Sequence, residues 1–269
     1  MYVKVAIFTF FFYNCPGLKS MIMKHLRLIL ILAFALVTVS CGKFNTNKKL
    51  HAVDLGLSVK WANMNVGALK PEASGLYFAW GEVEPKETYT EDNYKWSTDS
   101  YTSLTKYNIH SPGTVDNLAT LAPEDDAAHV RLGGKWRIPT VAECNELCTE
   151  CDWEVIEQNG IKGVKVTGRK EGYTGNSIFI PFSGGFSDEL NGDGEAMWCW
   201  TSSLHEWEYS QDSKYAYVLL CHRDSQPVIP MNGADISDLE GLIPETYTLT
   251  AGGNAIIRWQ GLPIRAVCE

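Results

Sequence analysis

Val53-Asp54-Leu55-Gly56-Leu57-Ser58-Val59-Lys60-Trp61 alternates apolar and polar residues without a break over nine positions. Successive side chains of a strand point to opposite faces, so a period of two marks a half-buried strand. Val53, Leu55, Leu57, Val59 and Trp61 are expected to face a core. Upstream, Gly42 to Leu50 (GKFNTNKKL) is polar, basic and unpatterned and reads as a flexible tether, residues 41–51. The folded domain is expected to occupy residues 52–269. Downstream, Gly75-Leu76-Tyr77-Phe78-Ala79-Trp80-Gly81 is a continuous apolar run, read as a strand covered on both faces. Residues 82–123 carry Tyr, Thr, Ser, Pro and charge without periodicity and read as loop.

Two helices are expected next. Glu124-Asp125-Asp126 leads into Ala127-Ala128-His129-Val130-Arg131 and stops at Gly133-Gly134, acidic at the start and glycine at the end. Thr140 and Glu143 then form a T-x-x-E capping box that opens a second helix. On it Cys144, Leu147, Cys148 and Cys151 fall at the i, i+3, i+4, i+7 spacing of an apolar stripe. The remainder reads as β: Gly163–Thr167, Ser177–Ile180, Ala196–Ser202, Tyr215–Cys221, Asn254–Trp259 and a closing segment, Leu262–Cys268. The fold class from spacing alone is α+β.

The first forty residues are processing signals, not fold. Lys24, His25 and Arg27 precede the apolar run Leu28–Val37, then Thr38-Val39-Ser40-Cys41-Gly42. A positive start, a short apolar segment and small residues before a cut make a secretory signal, residues 21–40. A cysteine directly after the cut resembles a bacterial lipoprotein signal, in which the Cys41 thiol is acylated and becomes the mature N-terminus. The apolar run is about half of the ~20 residues a membrane span needs. Residues 1–20 place a second apolar stretch ahead of an otherwise complete signal; the simplest account is an over-long gene start, with translation beginning at Met21 or Met23. The expected location is the bacterial cell envelope, lipid-anchored at the outer membrane, with the leaflet open. Gly42 to Lys49 lacks the acidic residues that often mark surface export of lipoproteins.

The whole chain carries 23 basic and 32 acidic residues. Four of the basic ones (Lys4, Lys19, Lys24, Arg27) and none of the acidic ones lie in 1–40, leaving 19 against 32, or −13, for 41–269. A surface of that sign lacks the basic patch that nucleic acid needs, so nucleic acid is not expected as a partner. Nine Trp and twelve Tyr require a large core, an aromatic binding face, or both.

A series of blocks carries a resemblance. Val53-Asp54-Leu55-Gly56-Leu57-Ser58-Val59-Lys60-Trp61-Ala62, Asn65-Val66-Gly67-Ala68, Tyr77-Phe78-Ala79-Trp80-Gly81-Glu82 and Asp125-Asp126-Ala127-Ala128 appear in that order. Gly133-Gly134-Lys135-Trp136-Arg137-Ile138-Pro139-Thr140, Asn159-Gly160-Ile161-Lys162-Gly163, Asn176-Ser177-Ile178-Phe179-Ile180-Pro181, Trp200-Thr201-Ser202-Ser203 and Ile264-Arg265-Ala266-Val267-Cys268 follow. Together they resemble the Fibrobacter-type major paralogous domain of gut Bacteroidetes lipoproteins, over about residues 52–268. Trp136-Arg137-Ile138-Pro139-Thr140-Val141-Ala142-Glu143 is also similar to the R-L-P-T-E-A-E-W run of formylglycine-generating-enzyme-like domains. Both resemblances imply a C-type-lectin-like fold: two helices, a twisted antiparallel sheet, long loops and paired terminal strands. The chain departs from the family at Ala266, where Pro is usual, at Cys144, where Trp is usual, and in a longer 223–253 segment.

Several constellations have bland readings that outweigh their chemistry. Cys144, Cys148 and Cys151 lack a matched C-x-x-C partner for zinc and read as core filling. Six cysteines after position 140 (Cys144, Cys148, Cys151, Cys199, Cys221, Cys268) allow 15 complete disulfide connectivities, and sequence does not choose among them. Formylglycine-generating enzymes hold copper on a closely spaced late cysteine pair; here Cys199, Cys221 and Cys268 are 22 and 47 residues apart. Ser202, Ser203 and His205 lack a G-x-S-x-G elbow and read as a strand with a nearby exposed histidine. Glu189-Leu190-Asn191-Gly192-Asp193-Gly194 imitates a calcium loop but has Trp200 where the bidentate Glu belongs, so a plain turn is expected. No metal, no cofactor and no catalytic residue is assigned.

The binding candidate is a loop face. Gly184–Gly194 and Arg223–Gly253 are long and turn-rich, and Trp198 and Trp200 lie two apart on one strand face toward the core. Trp207 and Tyr209, with Asp188, Asp193, Asp224 and Asp235 nearby, would offer a stacking platform ringed by acceptors. The expectation is a lipid-anchored binding module that takes a glycan or protein ligand. The competing classes are a structural or adhesive assembly subunit, which needs an exposed edge strand, and a degenerate formylglycine-type enzyme.

Overall fold

The chain pairs its two ends. In the computed structural model, which describes residues 50–98, 103–110, 113–205, 213–224 and 255–269, β2 (Lys60–Ala62) is the middle strand of a three-stranded sheet. It is flanked by β1 (Ala52–Val53) and by β13 (Val267–Cys268), with Val53 and Val267 both opposite Trp61. The nine-residue alternation is therefore not one strand. It folds back on itself through bends at residues 56–59, where Gly56 has φ +78 and the Asp54 carboxylate accepts its N–H at 3.0 Å. The alternation still buries what it predicts: Leu55, Val59 and Trp61 are in the core, with Val53 and Leu57 packed against it.

The Gly75–Gly81 run yields only the short strand β3 (Tyr77–Phe78), paired with β12 (Leu262–Pro263). Its buried continuation, Ala79-Trp80, leaves the ladder; Trp80 instead donates its N–H to the Arg258 carbonyl at 2.8 Å.

The helices form where their caps lie. α1 (Ala127–Leu132) starts on Asp126, whose side chain accepts the His129 N–H, and ends on Gly133 at φ 72. α2 (Val141–Glu150) has the reciprocal Thr140–Glu143 capping box, and Arg137 adds a two-pronged contact to Glu143. α2 stops one residue short of the expected stripe. Cys151 opens β4 (Cys151–Gln158), an eight-residue strand that the helical spacing concealed, and the Trp153 indole N–H caps the Leu147 carbonyl at 3.1 Å. β4 runs into β5 (Ile161–Gly168) and then β6 (Ser177–Pro181), in the order β4-β5-β6.

A five-stranded sheet orders β11-β10-β9-β7-β8, built from β7 (Ser183–Phe186), β8 (Leu190–Asp193), β9 (Ala196–Leu204), β10 (Tyr215–His222) and β11 (Ala255–Ile257). Its strands pair antiparallel except for β7 beside β9. The β9–β10 ladder separates two cores. One face turns Met197, Cys199, Leu219 and Cys221 to α2, where they meet Cys144, Leu147 and Trp61. The other turns Trp200 and Val218, with Trp198 at the margin, to Trp80, Ile138 and the α1 alanines. The architecture is mixed and strand-rich, with two α-helices among the described residues.

Two arginines with no exposed surface join the layers. Arg265 donates to Asn65 Oδ1 at 2.9 Å, the Ala62 carbonyl at 3.0 Å and the Phe179 carbonyl at 2.9 Å. Arg258 donates to the Tyr94 hydroxyl and to the carbonyls of Tyr107, Ser213 and Lys106, and its guanidinium lies 4.8 Å from the Trp80 ring centre. Burial pulls the Arg265 guanidinium down to about 10. Arg265→Met should strand buried acceptors at about 1–3 kcal/mol each. We expect a loss of several kcal/mol in denaturant unfolding, and removal of residues 262–269 should abolish the cooperative transition.

Candidate functional site

The five core cysteines are packing, not ligands. Cys144, Cys151, Cys199 and Cys221 are buried in one apolar cluster, with Cys148 packed against it. Burial pushes Cys199 and Cys221 up to about 12 and raises Cys144 and Cys148 strongly, so these thiols stay protonated at neutral pH. None of the six described cysteines is joined in a disulfide, and no group of three His, Cys, Asp or Glu side chains among the described residues is placed to hold a metal. The W-T-S-S serines are structural: Ser203 Oγ accepts the Val141 N–H at 3.2 Å, and the Ser202 N–H donates to the Pro139 carbonyl at 2.7 Å. His205 is not exposed, as its sequence setting implied; it is buried with its ring 4.7 Å from Tyr217.

The Gly184–Gly194 segment, expected as a loop, is the β7–β8 hairpin, with Phe186 opposite Leu190 and Ser183 opposite Asp193. Its glycines let it lie flat. A Cβ on Gly185 would run into Leu262 and come within 2.9 Å of the Trp198 ring, so no larger residue fits between hairpin and sheet. On its outer part the hairpin presents Phe186, which meets Tyr77 edge-on at 4.9 Å and tilts over Tyr89 at 5.8 Å. The Tyr89 ring in turn covers Gly261, where a Cβ would approach it to 2.6 Å. Trp259 packs against the same small cluster of Ala79, Tyr89, Tyr94 and Leu104. Tyr77, Phe186 and Trp259 are each only half-buried.

Hydrogen bonds fix this aromatic patch. Tyr77 donates its hydroxyl to the Ser183 carbonyl at 2.7 Å, and Tyr89 donates to the Tyr77 carbonyl at 2.6 Å. Burial raises the Tyr77 phenol, and the neighbouring Asp193 carboxylate adds to the rise. Asp188 stands exposed in the hairpin turn two residues after Phe186, where Asn191 braces the turn by donating to Ser187 Oγ and the Glu189 carbonyl. Tyr77, Phe186 and Trp259 thus pack on one small cluster, with the Asp193 carboxylate near Tyr77.

Of the acidic residues singled out by sequence, Asp188 and Asp193 border this patch. Asp224 pairs with Arg223, whose guanidinium also holds Glu195 at 2.7 Å. Trp207, Tyr209, Asp235 and Cys41 fall outside the described residues. The sequence reading missed Tyr77, Tyr89, Phe186 and Trp259. Tyr77 sat inside an apolar run and Phe186 among glycines, and only tertiary pairing of β3, β7 and Gly261 brings them together.

The residue 82–110 segment that supplies Tyr89 is pinned by charge. Asp125, 3% exposed, accepts from Lys106 Nζ at 2.6 Å, the Tyr107 hydroxyl at 2.7 Å and Lys95 Nζ at 3.2 Å. Lys95 also sits 4.1 Å over the Trp96 ring. Burial works to raise the Asp125 carboxyl, but its bonds to Lys106, Tyr107 and Lys95 outweigh it and the net shift is downward.

Compared with protein-family models, curated proteins and solved structures, the chain matches none of them.

A carboxyl whose folded value is depressed stabilises the fold above its unfolded value and loses that contribution as pH falls through the folded one. Asp125→Asn should therefore cost about 2 kcal/mol at neutral pH. The gap between variant and wild type should close below about pH 4, the ordinary carboxylate value. Urea unfolding across a pH series measures both.

Proposed function

We propose that this chain is a lipid-anchored binding module of the bacterial cell envelope, with a C-type-lectin-like domain that presents an aromatic face to a hydroxyl-rich ligand. The observation that carries the reading is the half-buried set Tyr77, Phe186 and Trp259 on one small cluster, where Tyr77 and Tyr89 donate to backbone carbonyls and Asp193 lies near Tyr77. Rings fixed at low entropy cost supply stacking energy, and carboxylates accept hydroxyl hydrogen bonds, the combination that sugars require. The lectin-like assignment draws support from the paired terminal strands, the two helices and the antiparallel sheets, together with the resemblance to the major paralogous domain. The anchor rests on the Lys24–Cys41 signal. In this reading the 41–51 tether joins the lipid-bearing Cys41 to the domain.

The enzyme class draws the least support. Cys199 and Cys221, on adjacent strands of one core face, are buried among apolar side chains with their thiols held protonated, and Cys268 ends β13 opposite Lys60.

Two measurements test the reading. A Cys41→Ser chain should lose metabolic lipid labelling and membrane retention; retention without labelling refutes the anchor. On a glycan and protein array, Trp259→Ala and Phe186→Ala should each abolish binding to whatever ligand the wild type retains. Their melting temperatures should fall by only a few degrees, because both rings are partly solvated. A ligand that both variants bind at wild-type strength places the binding face elsewhere.

A further inference from the structure

The sheets end in edges of very different kinds. β8 and β11 are four and three residues long. The outward Phe179 carbonyl of β6 is taken by Arg265. β4 is eight residues long, and among the described residues β5 is its one strand partner. Its backbone direction follows from its neighbours. In an antiparallel ladder, alternate residues bond to alternate sides. The Gly168 N–H donates to the Asn176 carbonyl and the Lys162 carbonyl accepts from Phe182, so even-numbered residues of β5 face β6 and odd-numbered ones face β4. Ile161, Gly163, Lys165 and Thr167 stand opposite Gln158, Ile156, Glu154 and Asp152. Those four β4 residues therefore bond to β5, and Trp153, Val155 and Glu157 direct their N–H and C=O groups out of the sheet.

We propose that β4 is the seam of a two-fold homodimer, pairing antiparallel with β4 of a second copy to join two three-stranded sheets into one of six strands. An open strand edge is a template for another strand. The two-fold axis closes the assembly, because each copy has one such edge. The side chains select the register. Centring the axis on Glu154 or Glu157 sets identical carboxylates face to face, and centring it on Trp153 sets Asp152 against Glu154; like charges directly opposite destabilise a sheet. Centring it on Ile156 drives the ladder into the Asn159-Gly160 turn, both of whose residues have positive φ. With Val155 on the axis, Trp153 faces Glu157, Glu154 faces Ile156, and Asp152 faces Gln158. Val155, 44% exposed in a single copy, then meets its own equivalent at the centre. The start of the strand is already closed, because Arg169 donates to the Cys151 carbonyl and holds Asp152. The three carboxylates of each copy still repel at longer range, so added salt strengthens the pairing.

The test is the mass of the full-length chain in mild detergent by light scattering and sedimentation, with Val155→Pro as the principal variant. Proline at 155 removes an outward N–H and leaves the β5 ladder intact, the one placement an edge strand tolerates. Losing one bond from each copy should weaken dimerisation about thirtyfold at the usual net strength of a hydrogen bond. The melting temperature of the dilute protein should change little. If Val155→Pro unfolds the chain, Val155→Glu carries the test by placing like charges across the axis and adding to the strand's carboxylates. Amide exchange at Trp153, Val155 and Glu157 should slow with protein concentration. A wild type monomeric at its highest soluble concentration overturns the proposal. So does a dimer that survives both substitutions, or one that leaves those three amides in fast exchange.

Discussion

The fold depends on burying positive charge without a carboxylate to meet it. Arg265 reaches back to Ala62 and Asn65 near the start of the domain and across to Phe179 in β6, all through neutral acceptors. A guanidinium is the side chain suited to this, since its planar fork donates in several directions at once and its charge is the most weakly hydrated of the cations. The depressed Arg265 value shows that the burial costs free energy, which three charge-assisted bonds offset. Because the partners belong to segments more than 80 residues away from Arg265, the bonds exist only when the layers are already assembled. The closing segment that carries Arg265, between β12 and β13, is thereby a keystone of the core and not a tail.

Arg258 does for the loops what Arg265 does for the strands. It gathers Tyr94, Lys106, Tyr107 and Ser213 around one guanidinium stacked on Trp80. Asp125 fixes the same region from the other side through Lys95, Lys106 and Tyr107. The described residues between 82 and 123 have little regular structure, so their backbone groups need such partners to be ordered. The aromatic patch inherits this rigidity: Tyr89 is placed by the pinned segment, Phe186 by the hairpin, and Trp259 by its neighbour Arg258.

The two proposed surfaces use different physics. The aromatic patch offers area and stacking, which favour ligands with both apolar faces and hydroxyls. The β4 edge offers directional backbone bonds, which favour a strand and are selective through register. Ligand binding and pairing are therefore independently testable.

What the sequence determined by itself was local. The caps of α1 and α2 were readable at Asp126, Gly133, Thr140 and Glu143, because capping acts within one helical turn. β5, β6, β9 and β10 were readable from their apolar, β-branched and aromatic runs, and the core side of Leu55, Val59 and Trp61 from their alternation. What tertiary structure decided was pairing. Cys151 continues the helical stripe in sequence, yet it starts β4 because Val164 and Val166 of β5 lie opposite Val155 and Trp153. The alternation from Val53 to Trp61 breaks because Trp61 must lie opposite Val53 and Val267 together. The aromatic face was illegible for the same reason. Tyr77, Phe186 and Trp259 are separated by more than 70 residues at each step, and no periodicity records which distant side chains a sheet will set side by side.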